Sequence, residues 1–398
     1  MPVPPTTAGI QGWLDTAPNS ERSGDFRAIR PERMRAYLAR LPAPPAPCTV
    51  AGTKGKGSTV RLIEAALVGN GQRVVAFSSP HVRTVLERWR VDGADAEAAV
   101  LAPLCDRVQA EEDASGLRLT WFERTFAVAC LLARARDAAF ICEVGLGGRL
   151  DATNALDAEV AVLTQVSHDH REVLGPTVWH IAGEKLAISR PGRPLLIAPQ
   201  APAAALAVWH RLPPGRAVSW IARPAEPFIL ALRGDHQQDN AATALAAAML
   251  YRPGLDPERA REAMAAATLP GRCQVSGRLL IDGAHNGPSL AAALAVARQR
   301  FAEGFTVVLG TARDKEIAEM MAAIPAGVPV VRCGFASPRA RGEADWPEEA
   351  RRWPWFIDVR AALAATSGKI CVVGSLYLAG EALALAEQPE QGDLALQR

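Results

Sequence analysis

Lys56 stands between two glycines in V-A-G-T-K-G-K-G-S-T-V (50–60), with Ser58 and Thr59 directly behind it. Gly52, Gly55 and Gly57 let successive backbone N–H groups converge on an anion without a side chain in the way. Lys56 can reach terminal phosphates, and the hydroxyl of Ser58 or Thr59 can hold Mg²⁺. Thr53 completes the loop, and the positive end of a following helix points at the same anion. The form is G-T-x-G-K-G-[ST], shorter than the common G-x-x-x-x-G-K-[ST], because Val50 occupies the place of the first glycine. Thr49 and Val50 can end a strand, Val60, Ile63, Leu67 and Val68 recur at helical spacing, and Gly69-Asn70-Gly71 closes the helix. Strand, glycine loop and helix together predict a nucleoside triphosphate site rather than a plain surface turn.

Further polar clusters stand behind apolar runs. Glu143 ends one such run and opens E-V-G-L-G-G-R-L-D-A-T-N (143–154). Its carboxylate can complete Mg²⁺ coordination begun by Ser58, and the glycines permit a loop that wraps a substrate. A dinucleotide fingerprint is disfavoured, because the third glycine is missing and no helical pattern follows. Ser167-His168-Asp169-His170 follows the next run. No cysteine is near for a zinc site, so a second divalent ion on His170 gains weight only from Ser58 and Glu143. Lys185, in a helical pattern, reads by itself as a solvated surface charge. Asp282-Gly-Ala-His285-Asn286 fits either nucleotide contacts or a turn with Asn286 as a helix cap.

The elements that must position these residues alternate. Expected strands lie at 73–77, 140–144 and 160–166, with helices at 31–41, 122–136, 177–190 and 237–250. The segment L-P-G-R (269–272) marks a boundary. Beyond it strands at 278–281, 305–309, 330–333 and 369–373 alternate with helices near 289–301, 314–323, 359–365 and 376–386. The pattern predicts an α/β fold with a mostly parallel sheet, then a second, smaller α/β unit. Ligands in such sheets bind beyond the carboxyl ends of strands, where these clusters fall, and the expectation is a cleft between the domains.

Composition narrows the class. The 398 residues are 49% hydrophobic with a net charge of +2, which predicts a folded protein without a field that recruits nucleic acid or membrane. The seven cysteines form no C-x-x-C pair, so buried free thiols are expected rather than disulfides. No secretory leader pattern and no membrane-length apolar run is present. The expectation is a cytoplasmic monomer acting on small molecules.

The order of motifs resembles the folylpolyglutamate synthase/dihydrofolate synthase family of the Mur ligase superfamily. The similar blocks are A-G-T-K-G-K-G-S-T (51–59), S-S-P-H (78–81), E-R-W-R-V-D-G (87–93), T-W-F-E-R-T (120–125) and 143–154 as quoted. They continue with H-D-H-R-E-V-L-G (168–175), G-E-K-L-A-I (183–188), H-Q-Q-D-N-A-A-T-A (236–244), P-G-R-C-Q (270–274), D-G-A-H-N (282–286) and G-S-L-Y-L-A-G-E (374–381). The resemblance covers roughly residues 30–385.

The resemblance implies a phosphate-loop ATPase domain of the Mur ligase type over 1–268 and a Rossmann-like ligase domain over 269–398. It implies that ATP phosphorylates a pterin carboxylate and that the amine of L-glutamate attacks the acyl phosphate. Ser58 and Glu143 then match ligands of a first Mg²⁺ and His170 of a second, facing a carbamate on Lys185. Lys56, Lys185 and His170 are the implied catalytic groups. Asn240, Arg272, Asp282 and His285 match nucleotide positions. Ser79, Pro80, His81, Arg88, Thr120, Phe122, Gly147, Arg149, Asp151 and Asn154 match the substrate side.

Three features depart from the family pattern. Lys54 replaces the usual Asn, Leu186-Ala187 replaces Ala-Gly, and the chain is somewhat short. A specialised paralogue joining another carboxylate to an amine would carry the same motifs. A nucleotide switch or transport ATPase has no use for the second unit's D-G-A-H-N motif, and a non-catalytic module would be expected to lose Lys56, Glu143, His170 or Lys185.

Overall fold

The computed structural model describes residues 2–23 and 31–387. The chain divides into two compact units, one of residues up to Leu230 with His236–Ala267, the other of Ala231–Asp235 with the residues from Thr268 onward.

The first unit is built on a sheet of eight strands: β1 (Cys48–Ala51), β2 (Val74–Phe77), β3 (Trp89–Val91), β4 (Ala94–Asp95), β5 (Ala139–Glu143), β6 (Val160–Leu163), β7 (Pro194–Ile197) and β8 (Ala217–Trp220). Their order is β4-β3-β2-β5-β1-β6-β7-β8. All neighbours from β2 to β8 are parallel, while β3 and β4 fold back as an antiparallel edge. β1, β2, β5 and β6 are buried along their whole length, as near-continuous apolar runs require of a sheet covered on both faces. The Lys56–Gly69 helix is buried on nearly every side, packed against β2 and β5 and against the His236–Tyr251 helix.

The second unit has six strands: β9 (Gln274–Ser276), β10 (Leu279–Ile281), β11 (Thr306–Leu309), β12 (Val330–Cys333), β13 (Trp355–Phe356) and β14 (Ile370–Val373). Their order is β13-β12-β11-β14-β10-β9, parallel except for the β9–β10 hairpin. Both sheets are therefore mostly parallel, as the alternation of patterns predicts. All seven cysteines are buried and free, and burial raises their thiol pKa, to about 12 for Cys48 and Cys105.

Several expectations need correction. The helix expected over 177–190 stops at Leu186, where Ser189 takes the Leu186 carbonyl with both its N–H and its hydroxyl. The helix expected from 314 starts only at Ile317, because Ala312–Lys315 closes a turn through Lys315 N–H to the Ala312 carbonyl. Residues before 31 contain an unexpected helix, Thr7–Asp15, capped by the Thr6 hydroxyl. Ala98–Ser115 is likewise an unexpected helix, carrying Pro103 inside it.

Candidate active site

The phosphate loop leaves the carboxyl end of β1. Gly55 lies in the left-handed region (φ 87°) at the cap of the Lys56–Gly69 helix. A Cβ there would collide with the Asn240 carboxamide, and one on Gly52 would collide with Thr164 Oγ1. Only glycine fits either place. The loop is pinned from β6: Thr53 N–H and Lys54 N–H both donate to the Gln165 carbonyl, at 2.8 and 3.2 Å. Thr53 Oγ1 donates to the Ser167 carbonyl and accepts from Ser167 N–H, each at 3.1 Å. Thr164 and Gln165 carried no signal of their own beyond a place at a strand end. With glycine at the cap, no side chain fills the helix N-terminus, so its N–H groups and the positive end of its dipole suit an anion. Lys56 opens that helix, and Ser58 and Thr59 are buried in its first turn. Asn240 donates to Gln237 Oε1 at 2.9 Å.

Glu143 ends β5, next to the strand that leads into the loop, and is buried. Its Oε2 accepts from Ser79 N–H at 3.2 Å, and the Ser79–Pro80 peptide is cis. A hydroxyl and a buried carboxylate are oxygen donors of the kind a hard divalent cation takes, so Ser58 and Glu143 fit such an ion by donor chemistry. Among the described residues no group of three or more His, Cys, Asp or Glu is gathered that could hold a metal by itself. His170 adopts a left-handed backbone (φ 47°) at the start of a short helix, its ring nitrogens 3.8 Å from Asp169 and from Glu172.

Lys185 is not a surface lysine. It is 4% exposed, and its Nζ donates to the Gly52 carbonyl at 3.0 Å. Burial, and after it the nearby Lys56 ammonium, lowers its pKa to about 7, with Asp169, Asp151 and Glu184 acting the other way. Burial also lowers the Lys54 pKa, opposed by Asp169. A lysine that its helical pattern alone reads as a surface charge is thus bonded to the phosphate loop.

The substrate-side candidates divide. Phe122 packs on Gly145, where a Cβ would come within 2.7 Å of its ring, and lies 5.7 Å from the Phe77 ring. Gly147 is left-handed (φ 69°) in the same loop. Asp151 is buried and holds that loop closed, accepting from Leu146 N–H, Thr153 N–H and Thr153 Oγ1 at 2.9, 3.0 and 2.6 Å; burial raises its pKa. Asn154 donates to the Arg149 carbonyl and accepts from Arg190, at 3.0 and 2.9 Å. Thr120 caps the Trp121–Arg136 helix together with Glu123. Arg88 is buried, donating to both Glu21 oxygens at 3.0 and 2.7 Å and to His81 Nδ1 at 3.0 Å, its guanidinium 4.5 Å above the Trp121 ring. Arg149 pairs with Glu184.

In the second unit Asp282 follows β10 and is buried. It accepts from Cys273 N–H and Ala284 N–H, each at 2.8 Å, and so shapes its own turn. His285 Nδ1 lies 2.9 Å from the Gly283 carbonyl, and Asn286 caps the Gly287–Arg300 helix through Ser289. Arg272 N–H donates to the Leu269 carbonyl at 3.3 Å in the preceding turn.

Comparison with known proteins identifies the lineage. No family model matches the chain. The dihydrofolate synthase/folylpolyglutamate synthase of Escherichia coli K12 is 35% identical over 343 residues, covering 80% of this chain and 80% of its own length. The folylpolyglutamate synthase of Mycobacterium tuberculosis, solved with ADP and AMPPCP, superposes with a TM-score of 0.82 at 25% identity over 97% of this chain and 99% of that one. The bifunctional enzyme of Yersinia pestis, solved with AMPPNP and a Mn ion, gives 0.82 at 27% identity over 96% and 98%. With a relative at this identity and coverage, and a phosphate loop and buried lysine in place, the chain belongs to the folylpolyglutamate synthase/dihydrofolate synthase family of the Mur ligase superfamily and is an ATP-dependent ligase.

Proposed function

We propose that this ligase joins L-glutamate to the carboxylate of a pterin substrate, dihydropteroate or the glutamate tail of a reduced folate, in the cytoplasm. No helix among the described residues is long and apolar enough to cross a membrane. The observation that carries the reading is Lys185: a buried, largely desolvated amine hydrogen-bonded to the first glycine of the phosphate loop, beside Lys56. Such a group suits phosphoryl chemistry far better than fold maintenance.

In the reaction a substrate carboxylate oxygen attacks the γ-phosphorus of ATP. The bond to the β-phosphate oxygen breaks, and ADP leaves an acyl phosphate. The glutamate amine attacks the acyl carbon, and the tetrahedral intermediate expels phosphate and loses a proton to give the amide. Lys56 and the N–H groups of Gly52–Thr59 stabilise charge on the transferring phosphoryl group. Ser58 and Glu143 would hold Mg²⁺, and His170 and Lys185 a second ion; bound there, divalent cations neutralise phosphate charge. A pKa of about 7 leaves much of Lys185 neutral at physiological pH. The neutral nitrogen can add to CO₂, forming an N–C bond and releasing a proton, which converts the amine to an anionic oxygen donor. Phe122, Gly147, Asp151 and Asn154 belong to the pterin side, with Ser79, Pro80 and His81. Asn240 belongs to the nucleotide side, as the family motifs also assign Arg272, Asp282 and His285.

Mass spectrometry tests the reading. Incubation with ATP, Mg²⁺, L-glutamate and dihydropteroate or tetrahydrofolate should give a product heavier by one glutamyl unit, with ADP released only when carboxylate and amine are both present. A product from a different carboxylate, and none from any pterin, would overturn the folate assignment while leaving the ligase. ADP release without an amine would mark a plain ATPase.

A further inference from the structure

Arg149 and Glu184 lie outside the phosphate loop, yet both bear on where Lys185 stands. Lys185 belongs to the last turn of the Val178–Leu186 helix. The final carbonyls of a helix have no partner within it. Ile188 N–H, which would ordinarily bond the Glu184 carbonyl, turns to Lys185 instead, at 3.5 Å. Arg149 supplies what is missing: its backbone N–H donates to the Glu184 carbonyl at 2.8 Å. Its Nε donates to Glu184 Oε1, also at 2.8 Å. A guanidinium at this end also complements the negative pole of the helix. The neighbouring Gly148 allows the close approach, since a Cβ there would lie 2.7 Å from the Glu184 carbonyl oxygen and 3.2 Å from Lys185 Cα. The lysine side chain then spans to the Gly52 carbonyl at 3.0 Å. The glycine-rich loop, the helix end and the phosphate loop form one continuous run of contacts.

We propose that Arg149 and Glu184 act as a pair of positioning residues that set the height and direction of Lys185, and that Arg149 does not bind substrate. The inference rests on Lys185 serving the reaction as proposed above. The pair is half open to water, with side chains 56% and 20% exposed, and such pairs add little to stability. Its use is geometric: it fixes a helix end one residue away from a reacting group, where a small misplacement is costly.

The test uses the full chain with Arg149→Gln, Glu184→Gln, the double variant and Arg149→Lys, assayed with dihydropteroate, L-glutamate and ATP. Each Gln variant should lower kcat by about 10-fold, leave KM for dihydropteroate within about 2-fold, and keep a thermal midpoint close to wild type. The double variant should be no worse than the poorer single, because both remove the same contact. Arg149→Lys, which can still donate to Glu184, should recover most of the loss. A KM for dihydropteroate raised about 10-fold with kcat intact would make Arg149 a substrate ligand and overturn the proposal. So would additive losses, or Arg149→Lys behaving like Arg149→Gln. If the wild type shows no ADP release dependent on both carboxylate and amine, the reading of the reaction fails first and takes this proposal with it.

Discussion

The two edges of the eight-stranded sheet meet opposite ends of the same helix. At the amino edge a cavity of about 310 Å³ opens among Gly71, Arg73, Asp137, Ala138 and Arg252. Three helices run out there: Gly71, Asp137 and Arg252 follow the ends of Lys56–Gly69, Trp121–Arg136 and His236–Tyr251. The carbonyl ends of those helices are negative, and arginines suit them. Each charge has an ordinary partner within reach of solvent. Arg73 lies 3.6 Å from Asp137, both largely exposed, and Arg252 stacks 4.0 Å over Tyr251 with Glu159 3.8 Å away. At the carboxyl edge the Lys56–Gly69 helix begins, two glycines admit no side chain, and Lys185 is desolvated beside Lys56. The hollow at the amino edge is the ordinary one. What separates the edges is charge held out of water in a cradle shaped for an anion, which costs stability and is characteristic of a site that serves a ligand.

The contrast predicts where turnover is sensitive. Lys56→Ala and Glu143→Ala should each reduce kcat by at least ~10²-fold, since each removes charge stabilisation from phosphoryl transfer. Near-normal kcat in either variant would move the chemistry away from the carboxyl edge.

Lys185→Met should also lose most activity, yet gain stability. In bicarbonate-free buffer the unfolded chain keeps the lysine proton up to about pH 10.5, whereas the folded protein releases it near 7. Wild-type stability from this group therefore rises with pH across that window, and its full desolvation cost is carried below about 7. That cost exceeds the roughly 1 kcal/mol of the hydrogen bond to Gly52 that methionine gives up. The thermal midpoint of Lys185→Met should stand above wild type at pH 7, and the gap should close toward pH 10. A gap that does not vary with pH would mean the amine is not desolvated.

Lys54→Asn should change kcat by no more than about 3-fold, because it exchanges one half-buried polar group for another and leaves the backbone contacts to Gln165 intact. A collapse would give Lys54 a place in the phosphate site beside Lys56. The smallest effect belongs to the amino edge: Arg252→Ala should stay within about 2-fold in kcat and KM. A larger loss would show that this edge communicates with the reaction.

Much of the architecture was legible because its signals are local. Gly52–Gly57 and Glu143 sit where backbone sterics and strand ends dictate, and the strand and helices expected at 330–333, 359–365 and 376–386 match Val330–Cys333, Val359–Ala365 and Leu376–Ala386. The burial of Lys185 was not legible. It depends on the meeting of the Val178–Leu186 helix with a glycine loop some 35 residues earlier (149 to 184) and a phosphate loop farther back, and no spacing in the chain encodes that. The Ala98–Ser115 helix was hidden by Pro103, which removes an internal hydrogen bond. Leu101, Cys105, Val108 and Glu112, buried on one side of it, show that tertiary packing overrode the local penalty. Asp151 and Asn154 show a third limit: residue type announced polar chemistry, but Asp151 bonds to the loop itself and Asn154 to the loop and to Arg190.

The seven buried thiols have a practical use. Because each is enclosed and holds its proton tightly, maleimide and iodoacetamide should find almost no thiolate on the folded protein. A cysteine placed at an exposed position such as Leu206 would then be a single handle for a fluorophore or spin label. Motion during the catalytic cycle could be followed in an otherwise native chain, without first stripping out its own cysteines.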